Sequence, residues 1–373
     1  MDFSFNEEQQ MLLDTTRRFV TERYGFEFRN KVRESKDGWS RDIWKQMAEL
    51  GLLSLNIPEQ DGGLGAGPVE TMLVANVAGE GMLLEPFIAS AVIATHLIAE
   101  LGSMEQRKQW LPAMSAGDQI VVLAHDEDGS HDAGFSMRTR AARDGDGWLL
   151  TGRKAMVYHA SAADILLISA VTEDGQIGLF AVERETKGLQ SLPCTSVDEQ
   201  RAASILLDGV RVGPEARLGT DASAALQDAL DHGLAALCAE AFGALDRLLA
   251  ATIEYTRSRV QFGVPIGSFQ ALQHRMADML MHLEHARSMS YLATTQCTDA
   301  DPLARRAALS AAKVLMGQAA RYIGQQAVQL HGGMGMTDEL NVSHYFKRLL
   351  AFKLRCGTTD QHLESYRRQL QVI

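Results

Sequence analysis

RSRVQFGVPIGSFQ at 257–270 and QLHGGMGMTDE at 329–339 each close a long stretch of helical apolar period. In the first, Arg257 and Arg259 fall at the C-terminal end of the helical pattern, where the helix dipole and the uncapped carbonyls favour cations. Two arginines alone describe no more than a capped helix end. The ring of Phe262, the tight GVPIG turn and the amide of Gln270 add a packing surface and a group suited to a base or ribose edge. With the arginine fork for phosphate oxygens, they outline a site for a dinucleotide. In the second stretch a helix runs without interruption into Gly332, Gly333 and Gly335. A C-cap needs one glycine, whereas three allow positive φ or the close approach of a large group to the main chain.

Outward from these segments, the period of the sequence divides the chain into three. Residues 6 to about 115 follow a helical apolar period, broken by NIPEQDGGLGAGP at 56–68, whose Pro and Gly content stops helices on both sides. Between about 118 and 216 short apolar runs such as WLLTG, ILLISAV and IGLFAV alternate with turn signals such as ARDGDG and TEDGQ, the pattern of an antiparallel β unit. The helical period then returns over 222–258, 269–297 and 302–331. A helix of about 30 residues is roughly 45 Å long, and wide Ala and Leu stripes on such helices need neighbours on more than one side. The expected fold is α+β and multidomain: an N-terminal helical domain at 1–117, a β-sheet domain at 118–217 and a C-terminal four-helix bundle at 218–373.

Composition narrows the function classes. The 373 residues carry a net charge of −11 and no run of five or more Lys or Arg. Neither a nucleic-acid footprint nor a polybasic membrane patch is expected. No stretch reaches the roughly 18 apolar residues of a bilayer span, and MDFSFNEEQQMLLDTTRRFV reads as an amphipathic helix, not a signal peptide. Cys194, Cys238, Cys297 and Cys356 show no CxxC or metal-like spacing. They point to a reduced compartment, the cytoplasm.

The loop PEQDGGLGAG, the segment RSRVQFGVPIGSFQALQHRMADM and the segment QLHGGMGMT, in this α-β-α order, resemble the acyl-CoA dehydrogenase family over essentially the whole chain. Within it, AALCAEAFGALD, HYFKRL and the terminal DQHL are most similar to chains called the small subunit of pimeloyl-CoA dehydrogenase. The resemblance implies a homo- or hetero-tetramer with FAD between subunits, an acyl-CoA substrate and α,β-dehydrogenation of its thioester. An electron-transfer flavoprotein is the implied acceptor. Arg259, Phe262 and Gln270 match positions that reach the pyrophosphate and adenosine of a neighbour's FAD. Gln329, Gly332 and Gly333 match the second part of that contact, and Gly357 with Thr358 match the loop after the usual base.

Two departures stand out. Where the family shows a Thr-Glu-Pro-Gly-type loop and a Trp-x-Thr strand against the flavin ring, this chain has HDEDGSHD at 125–132 and MVYH at 156–159. The glutamate that takes the α-proton is replaced by Cys356, and the alternative acid position at the start of the long helix is Gly233. A positioned base is worth roughly 10² to 10⁴ in rate. Glu240, two helical turns beyond Gly233, and Asp360, close to Cys356, are the acidic replacements at hand, with Cys356 itself as a thiolate. His125 and His159 fall in the altered flavin-facing segments. Three readings stay open: a subunit completed by a partner, a self-sufficient homotetramer with an unusual base, and a fold-mate that is a flavin monooxygenase or a non-catalytic acyl-CoA binding subunit.

Overall fold

The computed structural model describes residues 4–129 and 136–370. Helices α1 (Glu7–Arg23), α2 (Phe26–Glu34), α3 (Arg41–Glu49), α4 (Pro68–Gly81), α5 (Thr95–Leu101) and α6 (Met104–Ser115) come first. Strands β1 (Val121–Ala124), β2 (Arg140–Asp144), β3 (Gly147–Tyr158), β4 (Ile165–Thr172), β5 (Ile177–Glu183), β6 (Leu189–Thr195), β7 (Arg201–Val212) and β8 (Arg217–Leu218) follow. The chain then returns to helix in α7 (Ser223–Ser258), α8 (Gln270–Gln296), α9 (Pro302–His331), α10 (Asn341–Phe352) and α11 (Thr359–Leu370). Between α7 and α8 lies the short hairpin β9 (Val260–Gln261) and β10 (Val264–Pro265).

Local chemistry sets the helix limits. At the start of α1, Asn6 and Gln9 form a reciprocal capping box, with Gln9 N donating to Asn6 Oδ1 at 2.8 Å and Asn6 N to Gln9 Oε1 at 3.1 Å. Asp301 caps α9 by accepting from Leu303 N at 2.9 Å, just ahead of Pro302. The three long helices run 36, 27 and 30 residues, as the uninterrupted period predicts. One element differs from expectation. The buried segment Phe87–Ala94 is π-helical, a widening that the sequence period does not reveal.

Two compact units form, neither continuous in sequence. The first gathers the described residues of 1–29, 68–83 and 234–373, and the second those of 30–67 and 84–233. In the first unit α4 and α7 cross with main chains in contact. A Cβ on Gly79 would lie 1.9 Å from Glu240 O, and one on Gly243 would lie 1.9 Å from Asn76 O. The carbonyls ending α4 are satisfied by buried side chains from afar: Tyr345 OH donates to Glu80 O at 2.5 Å, and Arg29 Nε to Met82 O at 3.1 Å.

The second unit carries the sheet, in the order β6-β7-β3-β2-β4-β5-β8 with β1 beside β4. It is mainly antiparallel, as expected, but β1 and β2 both pair parallel to β4. Its core gathers Leu97, Ile98, Leu111, Val121, Leu167 and Leu179, all fully buried. The β3–β7 register shifts between Lys154 and Val157. That irregularity re-aims the end of β3, where Met156 and His159 take φ of 49° and 60°. No helix among the described residues is long and apolar enough to cross a membrane.

The crossing makes a prediction. Gly243→Ala is expected to lower stability by on the order of 1–3 kcal/mol or more, because the added methyl meets a carbonyl that cannot move without shifting α4. Gly25→Ala, whose Cβ meets nothing within 4 Å, serves as the control and should leave the thermal midpoint within a degree or so. Equal midpoints for the two variants would refute the close crossing.

Candidate active site

Cys356 stands in the turn between α10 and α11 at φ 53°, followed by Gly357 at φ 93°. The turn is held from three sides. Lys313 of α9, fully buried, donates to Phe352 O at 2.5 Å and Arg355 O at 2.7 Å, with its ammonium 3.8 Å from the Phe352 ring centre. His362 Nε2 lies 2.7 Å from Cys356 O, which only accepts, so Nε2 carries the proton. Thr358 is the N-cap of α11: Gln361 N donates to its Oγ1 at 3.3 Å and its own N donates to Gln361 Oε1 at 2.7 Å. The loop expected to bear a base is therefore kept in a defined shape, with a thiol where the carboxylate is expected. Burial pushes the Cys238 thiol of α7 up to about 12.

The two acidic candidates sit in different surroundings. Glu240 is buried and ion-paired to Arg348 of α10. Arg348 also donates to Leu83 O at 3.0 Å and Met82 O at 3.4 Å. The cavity beside the pair, lined in part by Leu237, Leu349 and Phe352, has a volume of about 10 Å³, room for one water. Asp360 lies exposed in the first turn of α11, where a carboxylate offsets the helix dipole. At the alternative acid position stands Gly233, where an added Cβ would lie 2.6 Å from the Ile93 side chain.

The segments read as dinucleotide-binding gather at one end of the first unit. Tyr255 near the end of α7 stacks on His331 at the end of α9, with ring centres 4.2 Å apart. Arg275 Nη1 donates to Gln326 Oε1 at 3.1 Å, joining α8 to α9. On this end Arg259, Gln270, Gln329, Gly332 and Gly333 are exposed. Phe262 is 93% exposed at φ 54°, with Phe269 edge-on at 6.3 Å. A Cβ on Gly332 or Gly333 would meet nothing within 4 Å, so both leave open backbone. Gly335 differs. Its Cβ would lie 2.7 Å from Val328 O, so close packing within the turn demands this glycine, not an approaching ligand. An open glycine pair, a cation, an amide and an outward ring fit the phosphate and ribose portions of a dinucleotide.

The altered flavin-facing segments lie in the second unit, with Ser130, His131 and Asp132 outside the described residues. Glu127, missed by the sequence reading, turns inward. It accepts from Lys154 Nζ at 2.8 Å, Thr139 Oγ1 at 2.6 Å and Arg138 N at 2.7 Å. Burial alone would raise its pKa, but these donors outweigh it and hold the carboxyl down at about 2. Lys154 also donates to Ser169 Oγ at 3.1 Å and His125 O at 3.1 Å. His125 Nδ1 lies 3.0 Å from Ser169 Oγ, and burial pushes its imidazole down. The signal for Lys154 was its place on the inward face of β3 with Trp148 and Leu150. His159 is 4% exposed, and its backbone N donates to Arg201 O at 2.8 Å.

Comparison with known proteins decides the family. Sequence profiles for the N-terminal, middle and C-terminal domains of acyl-CoA dehydrogenase match residues 6–118, 121–210 and 223–371. The chain belongs to the acyl-CoA dehydrogenase family. Members of that family are FAD-dependent oxidoreductases. The chain is 30% identical to acyl-CoA dehydrogenase FadE12 of Mycobacterium tuberculosis over 92% of its length and 91% of the relative. It superposes on one chain of the ChsE4-ChsE5 complex from Mycobacterium tuberculosis with a TM-score of 0.91 and 26% identity, covering 100% of this chain and 100% of that one. A variant of the Tcur3481-Tcur3483 steroid ACAD gives 0.89 at 29% identity, covering 98% of each chain.

Within this acyl-CoA dehydrogenase fold, Lys313 gives a pH test. Burial lowers its pKa from 10.5 to about 8. Between those values the unfolded chain holds a proton that the folded chain has lost, so stability rises with pH across that window and is flat below it. Relative to Lys313→Met, the native chain should gain about 2 kcal/mol between pH 7.5 and pH 10. Urea unfolding of both proteins at the two pH values measures this, and a constant difference would contradict it.

Proposed function

We propose that this chain is one subunit of a hetero-oligomeric FAD-dependent acyl-CoA dehydrogenase, contributing the outward dinucleotide edge while a partner chain contributes the carboxylate base. One observation carries the reading: the family's base loop is built and held, yet it presents Cys356. Of the acidic candidates, Glu240 is paired with Arg348 and Asp360 lies exposed in the first turn of α11, while the alternative position is Gly233 and carries no acid. Likeness to two-component proteins, the ChsE4-ChsE5 complex and the Tcur3481-Tcur3483 steroid ACAD, supports it.

In α,β-dehydrogenation the Cα proton passes to a carboxylate as hydride leaves Cβ. FAD, when bound, accepts that hydride. The α-proton of a thioester is weakly acidic, so loss of the base removes about 3 to 5 kcal/mol of barrier lowering. Arg259 would meet pyrophosphate oxygens, Phe262 and Gln270 the adenosine, and Gln329 with Gly332 and Gly333 would complete that contact. Thr358, with its hydroxyl engaged in capping α11, contributes through the shape of the loop. The resemblance to the pimeloyl-type small subunit, with the steroid-type neighbours, points to a bulky or dicarboxylic acyl-CoA. An electron-transfer flavoprotein is the acceptor we infer.

The test is the visible spectrum and FAD content of the chain alone and co-expressed with a dehydrogenase subunit that retains the glutamate. Each preparation is challenged anaerobically with an acyl-CoA panel that includes pimeloyl-CoA. The chain alone should hold little FAD, or FAD that no substrate bleaches, and the pair should bleach. In the pair Cys356→Ala should leave turnover within about twofold, whereas Arg259→Ala should lower FAD content several-fold. Near-stoichiometric FAD that bleaches in the lone chain would overturn the reading in favour of a self-sufficient enzyme.

A further inference from the structure

A second chemical cluster lies in the second unit, built from side chains that take no part in the readings above. His96 on α5 faces Asp228 and His232, which stand one turn apart on α7. Residues spaced i and i+4 share a helix face, so the carboxylate and the imidazole of α7 point the same way. His96 Nε2 lies 2.6 Å from Asp228 Oδ2, and His232 Nε2 lies 3.8 Å from the same oxygen. The two imidazole rings are 4.4 Å apart, and one donor atom from each residue falls within 4.8 Å of the others.

We propose that His96, Asp228 and His232 form a binding site for a divalent first-row transition metal of the zinc type. Metal–donor bonds of about 2.0–2.2 Å in tetrahedral geometry separate neighbouring donors by about 3.4 Å. The separations here bracket that value, so side-chain rotation suffices and no helix has to move. Two imidazoles and one carboxylate suit zinc, cobalt, nickel and copper, whereas magnesium and calcium take oxygen-rich sets. The side chains of His96, Asp228 and His232 are 28%, 31% and 16% exposed, which leaves a solvent route to the fourth ligand position.

In the metal-free chain the proton on His96 Nε2 bridges to Asp228. On binding, His96 shifts to its Nδ1–H tautomer by proton exchange with solvent, so the imidazole stays neutral while the Nε2 and Oδ2 lone pairs turn to the ion; no redox change or further reactant is involved. The ion would tie α5 to the first turns of α7, the region that also carries Gly233 against Ile93. A purely hydrogen-bonded cluster differs in one measurable respect: it gains nothing from a metal.

The full chain, on a Cys194→Ser background that removes the exposed thiol, is titrated with Zn²⁺ by calorimetry and with Co²⁺ in the visible range. The expected result is one ion per chain, a d–d spectrum of low-coordinate cobalt and a rise in thermal midpoint. His96→Gln with His232→Gln should weaken binding by more than about a hundredfold, beyond the loss typical of an outer-shell change. Asp228→Asn, which keeps the shape and removes the charge, guards against misfolding and should weaken binding about tenfold or more. Absence of stoichiometric binding, or binding that survives in the double variant, overturns the site.

Discussion

Arg348 is the group on which the arrangement of the first unit turns. Only 3% exposed, it meets the Glu240 carboxylate of α7 and the carbonyls of Met82 and Leu83 beyond the end of α4. A buried guanidinium without such partners would cost several kcal/mol, and breaking a buried pair by removing one member typically costs about 3–5 kcal/mol. The same contacts that place α10 against α7 and α4 also commit Glu240 to a structural task. An acid bound to a guanidinium in a cavity of one water's volume is poorly placed to receive a proton from carbon.

The close crossing of α4 and α7 makes that commitment geometrically possible. With glycine at 79 and 243 the main chains touch, so the carbonyls after α4 come within reach of side chains from α10. The loop after α10 is then fixed by Lys313, whose ammonium spans the carbonyls of Phe352 and Arg355. Scaffold and chemistry are thereby separable. The turn around Cys356 is shaped by a left-handed residue, a glycine and the Thr358–Gln361 helix cap, together with the main-chain carbonyls that Lys313 and His362 hold.

How much of this was legible in the sequence depended on range. The long helices expected at 222–258, 269–297 and 302–331 stand at Ser223–Ser258, Gln270–Gln296 and Pro302–His331, because period and breakers are local signals. The exposed end bearing Arg259, Phe262 and the glycine pair was legible for the same reason. The pairings Glu240–Arg348 and Glu127–Lys154 span 108 and 27 residues, and no local pattern announces them. Lys154 was half-legible, as a charge on the inward side of a strand, but its partner lay in an acidic run that reads as solvated surface. Thr358, matched by resemblance to a cofactor contact, also accepts at Oγ1 in a helix cap that the spacing Thr358 to Gln361 already encodes.

The first unit holds two features that pull in opposite directions. Its interior around Glu240 is closed and paired. Its outer end displays Phe262 at 93% exposure and φ 54°, together with exposed Val260, Phe269 and Met336. A bulky residue held in the left-handed region costs on the order of 1–3 kcal/mol, and a cluster of apolar side chains in water adds to that cost. Stability of the lone chain rewards neither. A surface kept at such expense is suited to meeting another molecule, while an interior sealed by an ion pair is suited to holding shape. Both features fit the proposed reading, in which what this chain gives to dehydrogenation is delivered outward, to a cofactor and a partner.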